Sequence, residues 1–120
     1  MRILILEDSP ERHKKFRKFL HHHQVTIVAT ATEAIGLLTS REWDCLFLDH
    51  DLGDQVMVES GPGTGYEVAS WLEQHTDHMP GKVILHTFNP NGLERMQQAL
   101  PQAIPYPGAW DDEKLGRFVQ

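Results

Sequence analysis

Residues 46–53 have the sequence LFLDHDLG, and the rest of the chain can be arranged around them. The run from Cys45 to Leu48 is apolar without alternation, and so short a run predicts a strand buried on both faces, as in a parallel sheet covered by helices. The change to Asp49, His50 and Asp51 marks the carboxyl end of this strand. Ligands of open parallel sheets bind at that edge. The stretch therefore predicts polar side chains where a ligand binds.

The composition indicates one globular domain spanning residues 1–120, because 120 residues are enough for one core and too few for two. No run approaches the roughly 18 apolar residues that a membrane span needs, so we expect no membrane partner. The net charge of −6 argues against broad electrostatic binding of nucleic acid. Cys45 is the one cysteine and lies in a predicted strand, which is typical of a buried side chain in a reducing compartment. The chain begins with a strand-like run and no cleavage site, so we expect a cytoplasmic protein.

Strand-like segments alternate with helical segments along the whole chain. Helix starts are indicated by Pro10 after Ser9 and by capping-box spacing at Thr30–Glu33 and Thr64–Glu67. The predicted strands are Arg2 to Leu6, Val25 to Ala29, Cys45 to Leu48, Lys82 to Leu85 and Ala103-Ile104. The predicted helices follow Ser9, Thr30 and Thr64, then run from Leu93 to Leu100 and from a cap at Asp111.

This repeated strand-helix pattern predicts an α/β fold. Right-handed crossovers would join the units into a five-stranded parallel sheet with helices on both faces, a three-layer sandwich. The common strand order for five such units is 2-1-3-4-5, the flavodoxin-like order, with a crevice between strands one and three.

That order brings Glu7 and Asp8 beside Asp49 and Asp51. Four carboxylates in one crevice repel one another unless they are protonated, paired with bases or neutralised by a divalent cation. Oxygen ligands without a nearby cysteine favour Mg²⁺, Mn²⁺ or Ca²⁺ over zinc. We expect Asp8 and Asp49 to be metal ligands, with Glu7 and Asp51 in support. The alternative is that Glu7 and Asp8 only favour the start of the first helix through their charge.

Two histidines follow strands at the same edge of the predicted sheet. His50 and His86 would lie next to the carboxylates, where one imidazole can activate water and the other can protonate a leaving oxygen of a phosphodiester. Thr87 and Asn89 offer neutral hydrogen-bond donors to phosphate. The alternative is that both histidines are core residues whose hydrogen bonds are satisfied internally.

Three stretches resemble motifs of response-regulator receiver domains. They are ILILEDS at residues 3–9, LFLD at 46–49 and VILHT at 83–87. The resemblance implies that Asp49 is the phosphoacceptor and that Glu7 and Asp8 are the magnesium-binding acidic pair. It also implies that Thr87 is the hydroxyl residue of the fourth strand.

One receiver signature is missing. A lysine before a proline is expected after the fifth strand, where its cation would pair with an acyl phosphate. Tyr106-Pro107 stands there instead, and Lys82 is at the opposite end of its strand.

A narrower set of motifs is similar to the cyclic-phosphate processing receiver-like family, whose members keep the acidic pocket, lack the lysine and add histidines. The motifs are LDHDLG at 48–53, GTG at 63–65, VA at 68–69, WL at 71–72, HT at 86–87, NPNG at 89–92 and RM at 95–96. This resemblance implies a metal-dependent phosphoesterase that uses Mg²⁺ or Mn²⁺ on a cyclic phosphate or related phosphoester, in a small molecule or at an RNA terminus.

Two other functions fit the same residues. The chain can be a stand-alone response-regulator receiver, phosphorylated on Asp49 by a histidine kinase that docks on the basic first helix. It can also be a degenerate receiver that only binds another protein. The basic residues of the first helix are Arg12, Lys14, Lys15, Arg17 and Lys18.

Overall fold

Five parallel strands form one sheet with the order β2-β1-β3-β4-β5. The computed structural model describes residues 1–53 and 55–119. The predicted strand order is therefore confirmed, and each predicted strand is present within one or two residues of its expected position. The strands are β1 Arg2–Leu6, β2 Gln24–Val28, β3 Cys45–Leu48, β4 Lys82–Leu85 and β5 Ile104–Pro105.

The helices cover both faces of the sheet. They are α1 Pro10–Phe19, α2 Ala31–Ser40, α3 Gly65–Gln74, α4 Pro90–Ala99 and α5 Leu115–Phe118, with short 3₁₀ helices at Thr76–His78 and Ala109–Asp111. In the part of the chain that the structure describes, every helix is too short or too polar to cross a bilayer.

The core consists of two apolar clusters, one on each face of the sheet. On one face the strands pack against α1, α5 and the 3₁₀ helix Ala109–Asp111, and on the other they pack against α2, α3 and α4. β3 contributes Cys45 and Phe47 to the first cluster and Leu46 and Leu48 to the second. All four β3 side chains are buried, as an unalternated apolar strand requires.

The register of the sheet determines which polar residues lie together. The last residues of β1, β3 and β4 are paired side by side, and the next residues along the chain are Glu7, Asp49 and His86. Because side chains alternate between the faces of a strand, these three point to the α1 side of the sheet. We call Glu7, Asp49 and His86 the acid-histidine row.

The predicted start of the fourth helix at Leu93 is wrong. The helix begins at Pro90, because the Asn89 side chain accepts a hydrogen bond from the Gly92 N–H at 3.0 Å and acts as the N-cap. Pro90 occupies the first turn, where its missing N–H costs nothing. Residues 90–92 are therefore helical and not a separate turn.

Two other helix ends differ from the prediction. Thr64 precedes α3 as expected, but its hydroxyl donates to the Gly61 carbonyl at 2.7 Å instead of capping the helix. Asp111 belongs to a 3₁₀ helix, and α5 begins later, at Leu115. The Thr30 cap forms as predicted, since its Oγ1 accepts from the Glu33 N–H at 3.2 Å.

Gly65 allows the start of α3 to approach the end of β3. A Cβ atom at this position would overlap the carbonyl oxygen of Asp49, and the Gly65 N–H donates to the His50 carbonyl at 2.9 Å. The backbone that carries Asp49 is therefore held in place by direct contact with α3.

We predict that Gly65→Ala lowers the free energy of unfolding by several kcal/mol, on the order of the cost of overpacking a tight core site. Gly36→Ala is the matched control, because Gly36 is an exposed helical glycine with open space around its Cβ position. That control should stabilise the protein by about 0.4–1 kcal/mol. Urea denaturation measures both, and equal stability of the two variants would contradict the close approach.

Candidate functional site

A cleft of about 470 Å³ opens at the carboxyl edge of the sheet. Its rim is apolar, because Val56, Met57 and Phe88 line it and remain mostly exposed. The cleft brings together five of the residues predicted for the site. They are Asp8, Asp49, Asp51, Thr87 and Asn89.

The other three predicted residues lie beneath the cleft. Glu7, His50 and His86 are each inaccessible to solvent. They can act on a ligand in the cleft only through neighbouring groups or after a rearrangement.

Glu7 and His86 form a buried pair within the acid-histidine row. His86 Nε2 lies 3.1 Å from Glu7 Oε1, and the other Glu7 oxygen accepts hydrogen bonds from the backbone N–H groups of Asp8 and Ser9 at 3.0 and 3.1 Å. Burial alone would raise the pKa of Glu7. The hydrogen bond and charge of His86, with the backbone donors and Arg12, lower that pKa to about 2. Glu7 is therefore a fixed negative charge under the cleft.

The pKa of Asp49 is raised, whereas that of Glu7 is lowered. Asp49 is 3% exposed, and its Oδ1 accepts a hydrogen bond from the His50 N–H at 2.8 Å. Burial raises the pKa of Asp49, His86 lowers it and the charge of Glu7 raises it again, to about 6 in total. The negative charge of Asp49 is therefore poorly compensated by the protein alone.

Within residues 1–53 and 55–119, only one of the two ring nitrogens of His86 has a hydrogen-bond partner. Because a carboxylate only accepts, Nε2 carries the hydrogen of the contact with Glu7. Nδ1 is buried and has no partner among the described residues. Phe16 and Trp110 pack edge-on against the ring, with centroids 5.3 and 5.8 Å away. The imidazole is thus surrounded by aromatic side chains and has one polar contact among the residues that the structure describes.

His50 points to the other face of the sheet. Its Nδ1 lies 2.8 Å from Asp51 Oδ1 and its Nε2 lies 2.8 Å from Ser60 Oγ. A Cβ atom at Gly92 would overlap the ring, so His50 lies directly under the first turn of α4. These contacts join β3 to the loop that follows it. Proton transfer by His50 stays a prediction, which these contacts do not favour.

Asp51 and Asn89 connect the same loop to α4. The Asn89 amide donates to Asp51 Oδ1 at 2.9 Å and to the Val58 carbonyl at 3.0 Å, and the other Asp51 oxygen accepts from the Met57 N–H at 2.8 Å. Burial acts to raise the pKa of Asp51, but the hydrogen bonds from His50, Asn89 and Met57 lower it overall. Metal binding by Asp51 and phosphate binding by Asn89 stay predictions, because these polar groups already have protein partners.

Thr87 lines the cleft with a usable donor. Its hydroxyl oxygen accepts a hydrogen bond from the Asn89 N–H at 3.1 Å. A hydroxyl has one donor in addition to its acceptor sites, so its hydrogen can be donated to a ligand.

Arg12 lines the cleft, whereas its sequence pattern predicted only a basic helix face. Its Nη1 lies 3.4 Å from Glu7 Oε1 and 3.7 Å from Asp49 Oδ2. Its Cζ lies 3.9 Å from the centroid of the Trp110 ring. The sequence carries no signal that separates Arg12 from the other basic residues of the helix, because its position at the cleft depends on tertiary contacts with Glu7 and Trp110.

The carboxylates are suitable ligands for a hard divalent cation. One ligand atom from each of Glu7, Asp49 and His86 lies within 4.8 Å of the others, and Asp8 lines the adjacent cleft. Burial and the charge of Glu7 raise the pKa of Asp49, and a bound cation would favour its ionised form. Asp8 and Asp49, with Glu7 beneath them, would hold Mg²⁺ or Mn²⁺.

The family comparison agrees with the motifs. A sequence model of the cyclic-phosphate processing receiver domain matches residues 2–102. The chain belongs to this family. The match confirms the resemblance seen in the sequence, whereas no curated protein matches the chain significantly.

Solved receiver structures have the same fold. The receiver domain of an HD domain-containing protein from Pseudomonas fluorescens has a TM-score of 0.75 at 17% identity, covering 98% of this chain and 89% of that one. The Mn²⁺-bound response regulator Rcp1 has a TM-score of 0.69 at 19% identity, covering 98% and 88%. TrrA from Thermotoga maritima, in complex with Mg²⁺ and BeF, has a TM-score of 0.68 at 19% identity, covering 99% and 98%. Such low identities establish the fold alone.

We predict that Asp49→Asn stabilises the metal-free protein at neutral pH. Because the pKa of Asp49 is raised from 3.8 to about 6, its stabilising contribution is complete below pH 3.8 and is lost as the pH rises through 6. The stability gain of Asp49→Asn over wild type should grow by up to about 3 kcal/mol across this window. Chemical denaturation in a chelating buffer, at several pH values, measures it.

Magnesium should largely remove the stability difference between the wild type and Asp49→Asn. It should stabilise the wild type by about 2–3 kcal/mol at 100 times its Kd, and leave Asp49→Asn nearly unchanged. Asp111→Asn, at an exposed carboxylate of the pair with Lys15, is the control and should respond like wild type. An equal response of all three proteins would exclude Asp49 as a ligand.

Proposed function

We propose that this receiver domain is a divalent-metal-dependent phosphoesterase that processes a cyclic phosphate or a related phosphoester. The observation that carries the proposal is the acid-histidine row, which lies directly beneath a cleft containing Asp8, Asp49 and Thr87. Membership of the cyclic-phosphate processing receiver family supports it. The substrate would be a phosphate-containing small molecule or an RNA terminus.

The carboxylates of Asp8 and Asp49 would hold the cation, with Glu7 as a neighbouring negative charge. When bound, Mg²⁺ or Mn²⁺ would neutralise non-bridging phosphate oxygens and make water a better nucleophile. Thr87 would donate its hydroxyl hydrogen to a phosphate oxygen, because its acceptor side is already used by Asn89.

His86 would act through Glu7. Its Nε2 holds the carboxylate in place and keeps it charged, and Glu7 is adjacent in sequence to Asp8. We therefore propose that His86 contributes more to catalysis than His50, by positioning Glu7 and keeping it charged beside the ligands of the cation. Proton transfer by the buried His86 stays a prediction. His50, with both ring nitrogens bonded on the other face, would mainly position the loop after β3.

We predict that His86→Gln lowers the rate of 2′,3′-cyclic nucleotide hydrolysis by about 10- to 100-fold, the usual cost of losing a side chain that orients the groups around a metal ion. His50→Gln should retain most of the activity and instead make the loop from residue 55 to 63 easier to cleave by protease. The amount of phosphomonoester product measures hydrolysis with Mg²⁺ or Mn²⁺, and circular dichroism verifies that each variant is folded. If the pure wild-type protein hydrolyses no cyclic phosphate, the phosphoesterase proposal fails.

A second candidate is a phosphorylated receiver, which is favoured by one observation. Asp49 lies at the end of β3 with its carboxylate at the cleft and Thr87 lining the same cleft. In that function Asp49 would accept a phosphoryl group, and the exposed basic residues of α1 would contact a histidine kinase.

Acetyl phosphate distinguishes the two functions. A stable gain of one phosphoryl group by mass spectrometry, absent in Asp49→Asn, would favour signalling over hydrolysis. Without that gain, and with turnover of a cyclic phosphate, the chain would be an enzyme. If neither occurs, the remaining candidate is a protein-binding module.

A further inference from the structure

Arg12 supplies positive charge at the cleft. Among the described residues that line the cleft it is the only basic side chain, together with three carboxylates, Asp8, Asp49 and Asp51. Its side chain is 34% exposed, whereas those of Glu7 and Asp49 are 0% and 4% exposed. Arg12 is thus the cation that a ligand entering the cleft would meet.

The guanidinium of Arg12 lies over the ring of Trp110. Trp110 is 7% exposed and its ring centroid lies 3.9 Å from Cζ, within the range of a cation-π interaction. Trp110 in turn packs against Phe88 at the rim, with centroids 5.1 Å apart. This stack holds Arg12 at the mouth of the cleft, where it remains partly exposed.

The acid contacts of Arg12 leave donors for another group. Both contacts, with Glu7 and Asp49, use the single nitrogen Nη1, whereas a guanidinium has five N–H donors in one plane. Distances of 3.4 and 3.7 Å are also long for a charge-assisted hydrogen bond. The remaining donors have the planar geometry that binds two phosphate oxygens at once.

We propose that Arg12 binds the phosphoryl oxygens of a ligand held at Asp49, as a positioning residue that stabilises their negative charge. The proposal rests on the phosphoesterase function proposed above. It also gives a physical reason why a chain with Tyr106-Pro107 after β5 functions without a lysine there. Lys82, at the opposite end of β4, donates to the Phe118 carbonyl at 3.2 Å and does not line the cleft.

Arg12 should affect cation and phosphate binding in opposite directions. Its guanidinium neutralises the same carboxylates that would hold a divalent cation, so the two positive groups compete. The same guanidinium would attract a phosphate. A residue that only maintains the fold would instead weaken both ligands together when it is replaced.

The test compares Arg12→Gln with Arg17→Gln by isothermal titration calorimetry. The control removes the same charge from an exposed position on the same helix. Arg12→Gln should bind Mg²⁺ alone about 2- to 10-fold more tightly, and bind inorganic phosphate at saturating Mg²⁺ at least about 10-fold more weakly. Arg17→Gln should change neither affinity more than about 2-fold.

A second variant keeps the test informative if Arg12→Gln folds poorly. Arg12→Lys retains the charge but not the planar donors, and should bind phosphate with an affinity between those of wild type and Arg12→Gln. The inference is overturned if a folded Arg12 variant binds phosphate as tightly as wild type, if it loses both ligands equally, or if the wild type binds no phosphate with Mg²⁺.

Turnover separates this inference from the proposed function. If the wild type binds phosphate through Arg12 but hydrolyses no cyclic phosphate, the phosphoesterase function fails and the role of Arg12 stands. If hydrolysis proceeds and is unaffected by Arg12→Gln, the role of Arg12 fails and the function stands.

Discussion

The hydrogen bond between Glu7 and His86 is the interaction on which the site depends. It is 3.1 Å long, both side chains are inaccessible to solvent, and it links the ends of β1 and β4 on either side of β3. Because it keeps Glu7 charged, it places a permanent negative charge next to Asp49. Burial is the larger cause of the raised pKa of Asp49, and the charge of Glu7 raises it further.

The fold was predictable because its signals are local. Unalternated apolar runs such as Cys45–Leu48 specify buried parallel strands, and caps such as Ser9 and Thr30 specify where helices begin. Residues just after these strands could therefore be assigned to one edge of the sheet. The exact starts and caps of two helices were not predicted correctly. The side chains of Asn89 and Thr64 each had several possible backbone partners, and tertiary packing selected among them.

The alternation of side chains along a strand determines which face of the sheet each histidine occupies. His86 follows the end of β4 by one residue and His50 follows the end of β3 by two, so they point to opposite faces. Because His50 and His86 lie at the same edge of the sheet, the sequence suggested that they act together. Counting residues from the ends of β3 and β4 instead places them on opposite faces. Arg12 could not be placed in this way, because a long side chain in a basic helix reaches the cleft only through its contact with Trp110.

The short β5 has a consequence for assembly. Ile104–Pro105 forms the outer strand on one side of the sheet, and Pro105 has no backbone N–H to offer to a neighbouring strand. An edge of two residues with a donor missing is a poor template for the β-strand of another molecule. Growth of the sheet into edge-to-edge polymers is therefore discouraged on the side nearest α5, without any charged residue being needed there.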